Sequence, residues 1–441
     1  MCTHGSLLPE TAARRFLDSL NKPSRILVAI SGGSDSTGLL LALAEALMAT
    51  SNSKISLCAV TVDHVLRTES ADEARQVAAF CKSHNVPHLI KVWQGEKPKT
   101  GLLAAARDAR YALLAEAAES LKADIVVTAH TADDQRETLA MRRERSEQPS
   151  IGVADLVLFD RRVWVARPFL GCRREAIRDY LCARKVAWMD DPSNDDPKYE
   201  RVRMRSRLAE GVGTVPAADE ARDLRADVAA SAARWLDQHF VLDSPMVGQV
   251  IPAGMAAERH VLGYAVGRLA AVFGGQAFPL GRKQSDDVLA LIEKGELGRM
   301  TAGRVVFDLR RDGLFLVRES RGILPLTLAP GARGVWDGRL LVQNAAPTEI
   351  SIVGGGKVAQ SGQLPKGVVR RALAAAPRIV DLAGNDAPGS IAEEVGITPY
   401  FSPFDRFLTR FDFMFAQSLA AAFGTRPYPK PPLGLIDGKS I

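Results

Sequence analysis

Apolar runs typical of buried strands alternate with helical patterns through the first third of the chain. The strand-like runs are residues 25–30, 55–63, 88–92 and 124–129, and the helical patterns are residues 37–48, 71–83, 102–121 and 132–143. This alternation predicts an α/β fold with a doubly wound parallel sheet. Because the runs are continuously apolar, we expect helices on both faces of the sheet. Ligands of such folds bind at the carboxyl ends of the strands.

The pattern extends this first domain in both directions and then changes. A short amphipathic helix over residues 9–20 precedes it, and a strand over 163–168 and a helix over 173–183 complete it. The later features are an alanine-rich helical pattern over 217–273, a hairpin pairing 304–309 with 314–318, and a glycine- and proline-rich region from residue 331. The sequence therefore predicts three domains: a catalytic domain over 1–210, a mainly helical linker domain over 211–330, and a small mixed α/β domain over 331–441.

Composition excludes several classes of protein. The 441 residues are 46% hydrophobic and 24% charged, as in ordinary globular proteins, and carry a net charge of +6. No apolar run reaches the roughly 18 residues of a membrane span, so we expect no membrane partner. The five cysteines form no C-x-x-C pair, which argues against a disulfide framework or a zinc site and favours a reducing cytoplasm. The mild positive charge permits a polyanionic partner without establishing one.

A loop of small residues separates the first strand from the first helix. It consists of Ser31, Gly32, Gly33, Ser34, Asp35 and Ser36. Backbone N–H groups beside a helix N-terminus bind anions, the two glycines admit a phosphate closely, and the serines add hydroxyl donors. The alternative is a plain helix cap formed by one of the last three residues. A carboxylate in a phosphate loop repels the ligand unless a cation stands between them, so Asp35 indicates bound Mg²⁺.

The loop pattern S-G-G-x-D-S resembles the PP-loop of the ATP pyrophosphatases, which cleave ATP between the α- and β-phosphates and transfer AMP. Four further segments resemble the bacterial tRNA(Ile)-lysidine synthases: VDHVLR at 62–67, AARDARY at 105–111, TAHTADDQRET at 128–138, and DPSN at 191–194, which continues to YER at 199–201. The resemblance is dense over residues 22–210. It is weaker beyond, where VWDGR at 335–339 resembles a family segment.

The resemblance implies a reaction, its cofactors and its partners. The implied reaction joins free L-lysine to the 2-position of the wobble cytidine in the CAU anticodon of tRNA(Ile). It passes through an adenylated cytidine and yields lysidine, AMP and diphosphate. ATP and Mg²⁺ are the implied cofactors, with residues 31–36 as the ATP site. The domains after residue 210 are then expected to bind tRNA, and the sequence leaves open whether the chain forms a homodimer.

The resemblance also implies roles for individual side chains. Asp134 and Glu137 lie three residues apart, on one face of the helix that starts near Ala132, and are implied to hold the lysine. Their alternative is a solvated helix N-terminus that favours acids. His130 and Arg110 are implied to be catalytic, and Arg110 would neutralise charge developing on phosphate. Without the resemblance, His130 is typical of a buried residue and Arg110 of a helix surface.

One further pair of residues and two basic clusters bear on the site. Asp63 and His64 end a strand, near the nucleotide by analogy. Two basic clusters are expected to follow tRNA phosphates: Arg173, Arg174, Arg178, Arg184 and Lys185, then Lys198, Arg201, Arg203, Arg205 and Arg207. The alternating arginines of the second cluster favour one edge of an extended stretch, with a solvated helix as the alternative.

One segment departs from the family pattern. Residues 143–152 lack most of the glycines that family members carry after the D-D-x-x-E-T segment, so the resemblance assigns them no role.

The sequence leaves two other functions open. A PP-loop tRNA thiolase is one alternative function, although such enzymes often use C-x-x-C pairs. A non-catalytic RNA-binding protein is the other. Asp35, His130, Asp134 and Glu137 argue against it, because a binding module needs none of these side chains.

Overall fold

The protein divides into two compact units. A computed structural model describes residues 7–50, 54–66, 69–145, 150–190, 198, 200–210, 219–357, 364–436 and 439–440. One unit contains residues 1–223 and 429–441, and the other contains residues 224–428. Of the helices in the described ranges, none combines the length and the apolar character that a bilayer crossing requires.

The first unit alternates strands and helices as predicted. Its strands are β1 (Ser24–Ala29), β2 (Ile55–Asp63), β3 (His88–Val92), β4 (Ile125–Val127), β5 (Leu156–Phe159) and β6 (Val163–Ala166). Its helices are α1 (Pro9–Asp18), α2 (Ser34–Thr50), α3 (Ser70–Ser83), α4 (Leu102–Ser120), α5 (Ala132–Arg145), α6 (Arg174–Ala183) and α7 (Glu200–Ala209). The strands and helices predicted for this region are confirmed; β5 and α7 are additions.

The six strands form one sheet in the order β5-β6-β4-β1-β2-β3. All neighbours are parallel except β5, which is antiparallel to β6. The apolar residues of β1, from Ile26 to Val28, are fully buried in the middle of the sheet. Helices α1, α2 and α6 pack against one another, and α3 and α4 pack against β2 and β3. The predicted doubly wound α/β architecture is confirmed.

The strand order creates a crevice at one position of the sheet. From β1, the chain moves to β2 and β3 on one side, and later to β4 and β6 on the other side. The connections that follow β1 and β4 therefore leave the sheet in opposite directions from neighbouring strand ends. Ligands of open parallel sheets bind at this switch point. The loop at residues 31–36 and the segment at residues 128–131 border it.

The second unit contains three antiparallel sheets and six helices within the described residues. The helices are α8 (Asp219–His239), the start of which falls in the first unit, α9 (Arg259–Gly274), α10 (Arg282–Lys294), α11 (Lys366–Ala375), α12 (Gly389–Glu393) and α13 (Phe413–Ala422). The strands are β7 (Phe240–Ser244), β8 (Val247–Val250), β9 (Gly298–Ala302), β10 (Val305–Arg310), β11 (Gly313–Arg318), β12 (Leu326–Leu328), β13 (Arg333–Trp336), β14 (Leu340–Asn344), β15 (Ile350–Gly354), β16 (Pro377–Val380), β17 (Val395–Pro399) and β18 (Phe407–Thr409). The sheet orders are β7-β8-β11-β10-β9, β12-β15-β16 and β13-β14-β17.

The helical pattern predicted over residues 217–273 is wrong between α8 and α9, where β7 and β8 form a hairpin. The β-branched and apolar residues of FVLDSPMVGQV, turning at Ser244 and Pro245, favour strands over helix. Gly248 lets the rings of Phe240 and Phe273 approach, since a Cβ there would lie 2.7 Å from both. The predicted hairpin of β10 and β11 is confirmed, with Arg310 opposite Gly313.

One hydrophobic core of the second unit joins residues on both sides of position 330. Phe315 and Val317 of β11 pack in it with Trp336 and Val342. The other predicted boundary, at 210, adjoins residues 211–218, which lie outside the described ranges. The division into three domains stays a prediction.

The end of the chain returns to the first unit. Its strands β19 (Leu435–Ile436) and β20 (Lys439–Ser440) pair with each other in antiparallel fashion. The Trp164 indole donates to the carbonyl oxygen of Pro429 at 2.9 Å, and the Asn21 N–H donates to the carbonyl of Pro432 at 3.0 Å.

A buried carboxylate ties together the helices of the second unit. Asp412 is 4% exposed and accepts hydrogen bonds from the hydroxyl groups of Tyr264, at 2.6 Å, and Thr409, at 2.8 Å. Arg225 and Arg268 form ion pairs with it. Burial acts to raise the pKa of this carboxyl, but the two guanidinium groups outweigh it and hold the pKa well below its usual range.

We expect Asp412→Asn to destabilise the second unit by about 3–5 kcal/mol, because Arg225 and Arg268 would lose their buried counter-charge. The measurement is the urea midpoint at pH 7. In the wild type, this contribution should be lost as the pH falls through the depressed pKa of the folded state. The matched control is Asp287→Asn on the exposed side of α10. Equal midpoints for the two variants would contradict the expectation.

Candidate active site

The loop at residues 31–36 lies where the sequence predicts it, between β1 and α2. Gly32 has a φ of +89°, a conformation that favours glycine, and a Cβ at this position would lie 1.8 Å from the Met189 methyl carbon. The Met189 N–H donates to the Gly32 carbonyl oxygen at 2.9 Å. The positive φ is the constraint that favours glycine at this position, because the end of the flexible Met189 side chain could move away from a Cβ.

The serine hydroxyls close this loop. Ser36 Oγ accepts the Ser31 N–H at 3.1 Å and donates to the Gly33 carbonyl at 3.2 Å, while Ser34 Oγ donates to a carboxylate oxygen of Asp35 at 3.3 Å. These hydroxyl groups therefore bond to other atoms of the loop. They do not accept the first N–H groups of α2, as a helix-capping side chain would. The first N–H groups of α2 have no intrahelical acceptors, which makes this helix start suited to an anion.

Asp35 faces an arginine from a different helix. The Arg174 Nε donates to a carboxylate oxygen of Asp35 at 3.0 Å, and the two side chains are 19% and 23% exposed. Burial raises the pKa of the Asp35 carboxyl, and the nearby Arg174 guanidinium only partly offsets this effect. A further cation at this position would therefore stabilise the ionised carboxylate.

The two acids expected to hold lysine are both at the start of α5. One oxygen of Asp134 accepts the N–H and the hydroxyl of Thr131, at 2.8 and 2.9 Å. Burial acts to raise the pKa of Asp134, but the charge that His130 carries when protonated, followed by the Thr131 N–H and the guanidinium groups of Arg201 and Arg174, outweighs it and lowers the pKa. Glu137 lies almost one turn further along, and its side chain is only 2% exposed.

Three arginines surround these acids. Arg174 lies 3.6 Å from Asp134 and 3.9 Å from Glu137. Arg201 lies 3.8 Å from Asp134 and 3.5 Å from Glu137. Arg205 makes the shortest contact, a hydrogen bond of 2.8 Å from its Nε to Glu137. The structure therefore brings Asp134 and Glu137 together around shared guanidinium groups, and it connects them to Asp35 through Arg174.

The extended stretch predicted for Arg201–Arg207 is wrong, because these residues form the helix α7. Arginine, methionine, leucine and alanine are strong helix formers, and the segment has no glycine or proline. Helical spacing puts Arg201 and Arg205 on the same face, towards α5, where Arg207 also pairs with Glu144 at 2.6 Å. Much of the charge of this cluster is therefore neutralised within the protein.

Some predicted segments lie outside the described residues. They are DPSN at 191–194, Tyr199, and residues 146–149 of the glycine-poor segment. The end of that segment is described, and Gln135 of α5 holds it. The Gln135 amide donates to the Ile151 carbonyl at 3.1 Å and accepts the Val153 N–H at 2.6 Å. Gly152, with a φ of +64°, leaves room for this amide.

His130 follows β4, as predicted, at the ligand edge of the sheet. Its Nδ1 lies 3.0 Å from the Thr128 hydroxyl oxygen. Burial, followed by the positive charge of Arg167, lowers the pKa of His130 to about 3. The imidazole is therefore neutral at physiological pH and accepts or donates hydrogen bonds without carrying charge.

Arg110 lies on α4 and contacts His64, which follows β2. Its Nε donates to His64 Nε2 at 3.3 Å, which assigns the imidazole proton to Nδ1. Burial, followed by the charge of Arg110, lowers the pKa of His64 to about 4. The preceding Asp63 ends β2 and accepts the Val65 N–H at 2.8 Å. The predicted neighbours Asp63 and His64 are thus linked to Arg110.

Two arginines of this region were not predicted for the site. The sequence placed Arg174 in a cluster expected to contact tRNA. The available signal was indirect: three carboxylates predicted for one crevice require a cation close to them. Arg167, which follows β6, is 5% exposed and donates to the Tyr111 hydroxyl at 2.8 Å. No pattern in the sequence distinguishes a buried arginine of this kind from an exposed one.

The carboxylates of the crevice bear on whether a metal ion could bind there. Within the described ranges, no group of three or more His, Cys, Asp or Glu side chains has the arrangement of a metal cluster. Mg²⁺ bound with a nucleotide usually takes only one or two carboxylates, and phosphates and waters supply the other ligands. Asp35, at the start of a helix whose first N–H groups are suited to an anion, fits this type of site.

The fold and loop define the class of protein. A family model described as a PP-loop domain matches residues 8–212, which contain the sheet, the loop and the acids of α5.

Relatives of full length define the family. The tRNA(Ile)-lysidine synthase of Rhizobium meliloti (strain 1021) is 41% identical over 96% of this chain and 96% of its own length. That of Mesorhizobium japonicum is 39% identical over 97% and 98%, and that of Brucella ovis is 34% identical over 92% and 96%. This chain belongs to the tRNA(Ile)-lysidine synthase family.

We expect His130 to remain neutral between pH 8 and pH 5, because its pKa lies near 3 in the folded protein. The measurement is the ¹⁵N chemical shifts of the imidazole during a pH titration, assigned with His130→Gln. A His130 transition near pH 6.5 would contradict the electrostatic description of this site.

Proposed function

We propose that this protein joins free L-lysine to the 2-position of the wobble cytidine in the CAU anticodon of tRNA(Ile). The reaction consumes ATP, proceeds through an adenylated cytidine, and yields lysidine, AMP and diphosphate. One observation carries the proposal: the phosphate-loop acid Asp35 and the acid pair Asp134 and Glu137 contact the same guanidinium, that of Arg174. A nucleotide site and a site for an amine are therefore adjacent. The names of the full-length relatives support this reaction.

In the first step, the 2-carbonyl oxygen of cytidine attacks the α-phosphorus of ATP, and the bond from this phosphorus to the β-phosphate oxygen breaks. The N–H groups at the start of α2 and the loop serines hold the phosphates. Asp35 would hold Mg²⁺, which neutralises charge on the diphosphate that leaves. Arg110 stabilises negative charge that develops on the transferred phosphate. The neutral His130 offers its Nε2 as a hydrogen-bonding group.

In the second step, the ε-nitrogen of lysine attacks C2 of the cytidine. The ammonium first gives up one proton to water so that its nitrogen has a lone pair; after the attack, the bond from C2 to the oxygen of AMP breaks, AMP leaves, and the nitrogen gives a second proton to water. Asp134 and Glu137 bind and orient the amine before the attack, because paired carboxylates attract an ammonium group. The depressed pKa of Asp134 keeps this carboxylate charged at neutral pH.

The tRNA is proposed to contact the parts of the chain beyond residue 210, together with exposed basic residues of the first unit. The net charge of +6 supports this role. A tRNA-modifying enzyme of this kind is expected in the cytoplasm. Whether two copies associate stays open.

Thiolation of tRNA is the less favoured chemistry. Of the cysteines in the described residues, three are buried, and burial raises the pKa of their thiols: Cys58, Cys81 and Cys172. Sulfur transfer requires an accessible thiolate, which these environments oppose.

We expect Asp35→Asn to reduce AMP transfer at least about a hundredfold, the scale of losing one preorganised electrostatic contact. The measurement is diphosphate release with CAU-anticodon tRNA and without lysine. Glu45→Gln is the control, since Glu45 lies on the same helix but pairs with Arg184. A folded Asp35→Asn variant with the wild-type rate would exclude Asp35 from the ATP–metal site.

The double variant Asp134→Asn, Glu137→Gln tests the amine site. Lysine would lose two charge-assisted contacts, each worth about 1.5–3 kcal/mol when desolvated. We expect the lysine concentration for half-maximal lysidine formation to rise at least about tenfold, while lysine-independent AMP–tRNA formation continues. Glu144→Gln, also on α5, is the control. Unchanged lysine dependence would refute the site, and loss of both steps would place these acids in the ATP–metal site.

A further inference from the structure

A hydrogen bond from its backbone N–H anchors Arg174 at the start of α6. Its N–H donates to a carboxylate oxygen of Asp133 at 2.8 Å. This bond leaves the side chain free to extend into the crevice, where it is 19% exposed. A substitution of the side chain therefore keeps the interaction that positions this residue in the chain.

The guanidinium of Arg174 contacts three carboxylates that come from two other helices. It is 3.0 Å from Asp35 on α2, and 3.6 and 3.9 Å from Asp134 and Glu137 on α5. Asp35 and Asp134 together favour the charged form and raise the pKa of Arg174, although burial opposes this effect. In the absence of ligands, one cation of the protein thus serves both candidate sites.

Both proposed ligands of these carboxylates are cations. Lysine presents an ammonium group to Asp134 and Glu137, and Mg²⁺ approaches Asp35. A fixed positive charge within 4 Å of the same oxygens repels an incoming cation and has to be displaced before the cation makes direct contact. The ammonium of lysine, or Mg²⁺, therefore competes with the Arg174 guanidinium for the same carboxylate oxygens.

We propose that Arg174 is an internal competitor of lysine, and that it sets the lysine affinity of the site by occupying the position between Asp134 and Glu137. The proposal rests on the lysine site given under the proposed function. It assigns to Arg174 a role in the selection of the amine substrate.

Other arginines keep the acids in place when Arg174 is changed. Arg205 holds Glu137 at 2.8 Å, and Arg201 lies 3.5 Å from Glu137 and 3.8 Å from Asp134. A residue with a merely structural role would weaken lysine binding when removed. A competitor has the opposite effect, so the sign of the change distinguishes the two roles.

The experiment measures binding of radiolabelled lysine by equilibrium dialysis of the full chain, without ATP or tRNA. For R174Q, we expect the half-saturating lysine concentration to fall at least about threefold, a change in the range of a single partly exposed ion pair. R174K retains the charge and should stay near the wild type. R178Q, one turn along α6 and half exposed, is the matched control and should also bind as the wild type does.

Unchanged or weaker lysine binding by folded R174Q would overturn the proposal. Should R174Q not fold, R174M keeps the aliphatic packing of the side chain and is judged by the same criterion. The Asp134→Asn, Glu137→Gln protein is measured in parallel. If its lysine binding equals that of the wild type, the lysine site itself is wrong; if it binds more weakly while R174Q does not bind more tightly, only the competitor role fails.

Discussion

The parallel pairing of β1 with both β2 and β4 is the constraint on which the crevice depends. Val28 of β1 lies opposite Ala59 on one side and Val127 on the other, which brings the carboxyl ends of β1 and β4 to one edge. The phosphate loop leaves from the first strand, and the segment with His130 and the acids of α5 leaves from the second. Because β6 also runs parallel to β4, the chain reaches the same edge a third time and begins α6 there with Arg174. Sheet topology alone thus explains why residues far apart in sequence share one site.

Electrostatics, rather than apolar packing, decides how this edge is stabilised. Concentrated carboxylates repel one another and lose hydration, as the raised pKa of Asp35 reflects. Guanidinium groups of α6 and α7 offset this cost. Asp412 of the second unit has similar partners but is enclosed by them on all sides with a strongly depressed pKa, as befits a structural ion pair. Asp35 differs because it lacks such full compensation, which leaves it suited to an additional cation.

Sequence patterns predicted the first unit well for a physical reason. Continuous apolar runs such as those of β1 and β2 form strands that are buried on both faces. The apolar pattern in the sequence therefore marks both the position of the strand and its burial. The same criteria missed β5, a short strand of four residues, and the hairpin of β7 and β8 within an alanine-rich region. The motifs indicated Asp35, His130, Asp134 and Glu137, but they gave no information on Arg174, since its role depends on contacts between helices. Alternating arginines alone fit an extended chain or a helix, so the arginine spacing missed α7; the helix propensity of the segment and its contacts with the acids of α5 favour the helix.

Ion pairs within the protein reduce the number of arginines that are available to attract a polyanion. By sequence, Arg174, Arg201, Arg205 and Arg207 belong to clusters that suit a polyanion. In the structure, each pairs with a carboxylate of the first unit. A paired arginine contributes little long-range field, since its charge is cancelled at short distance. Long-range attraction for a polyanion must therefore arise chiefly from other basic residues. The paired arginines instead balance a negatively charged crevice, and the proposal for Arg174 is that a cationic ligand changes this balance. Local pairing of charges, more than overall charge, thus links the sequence of this crevice to its proposed chemistry.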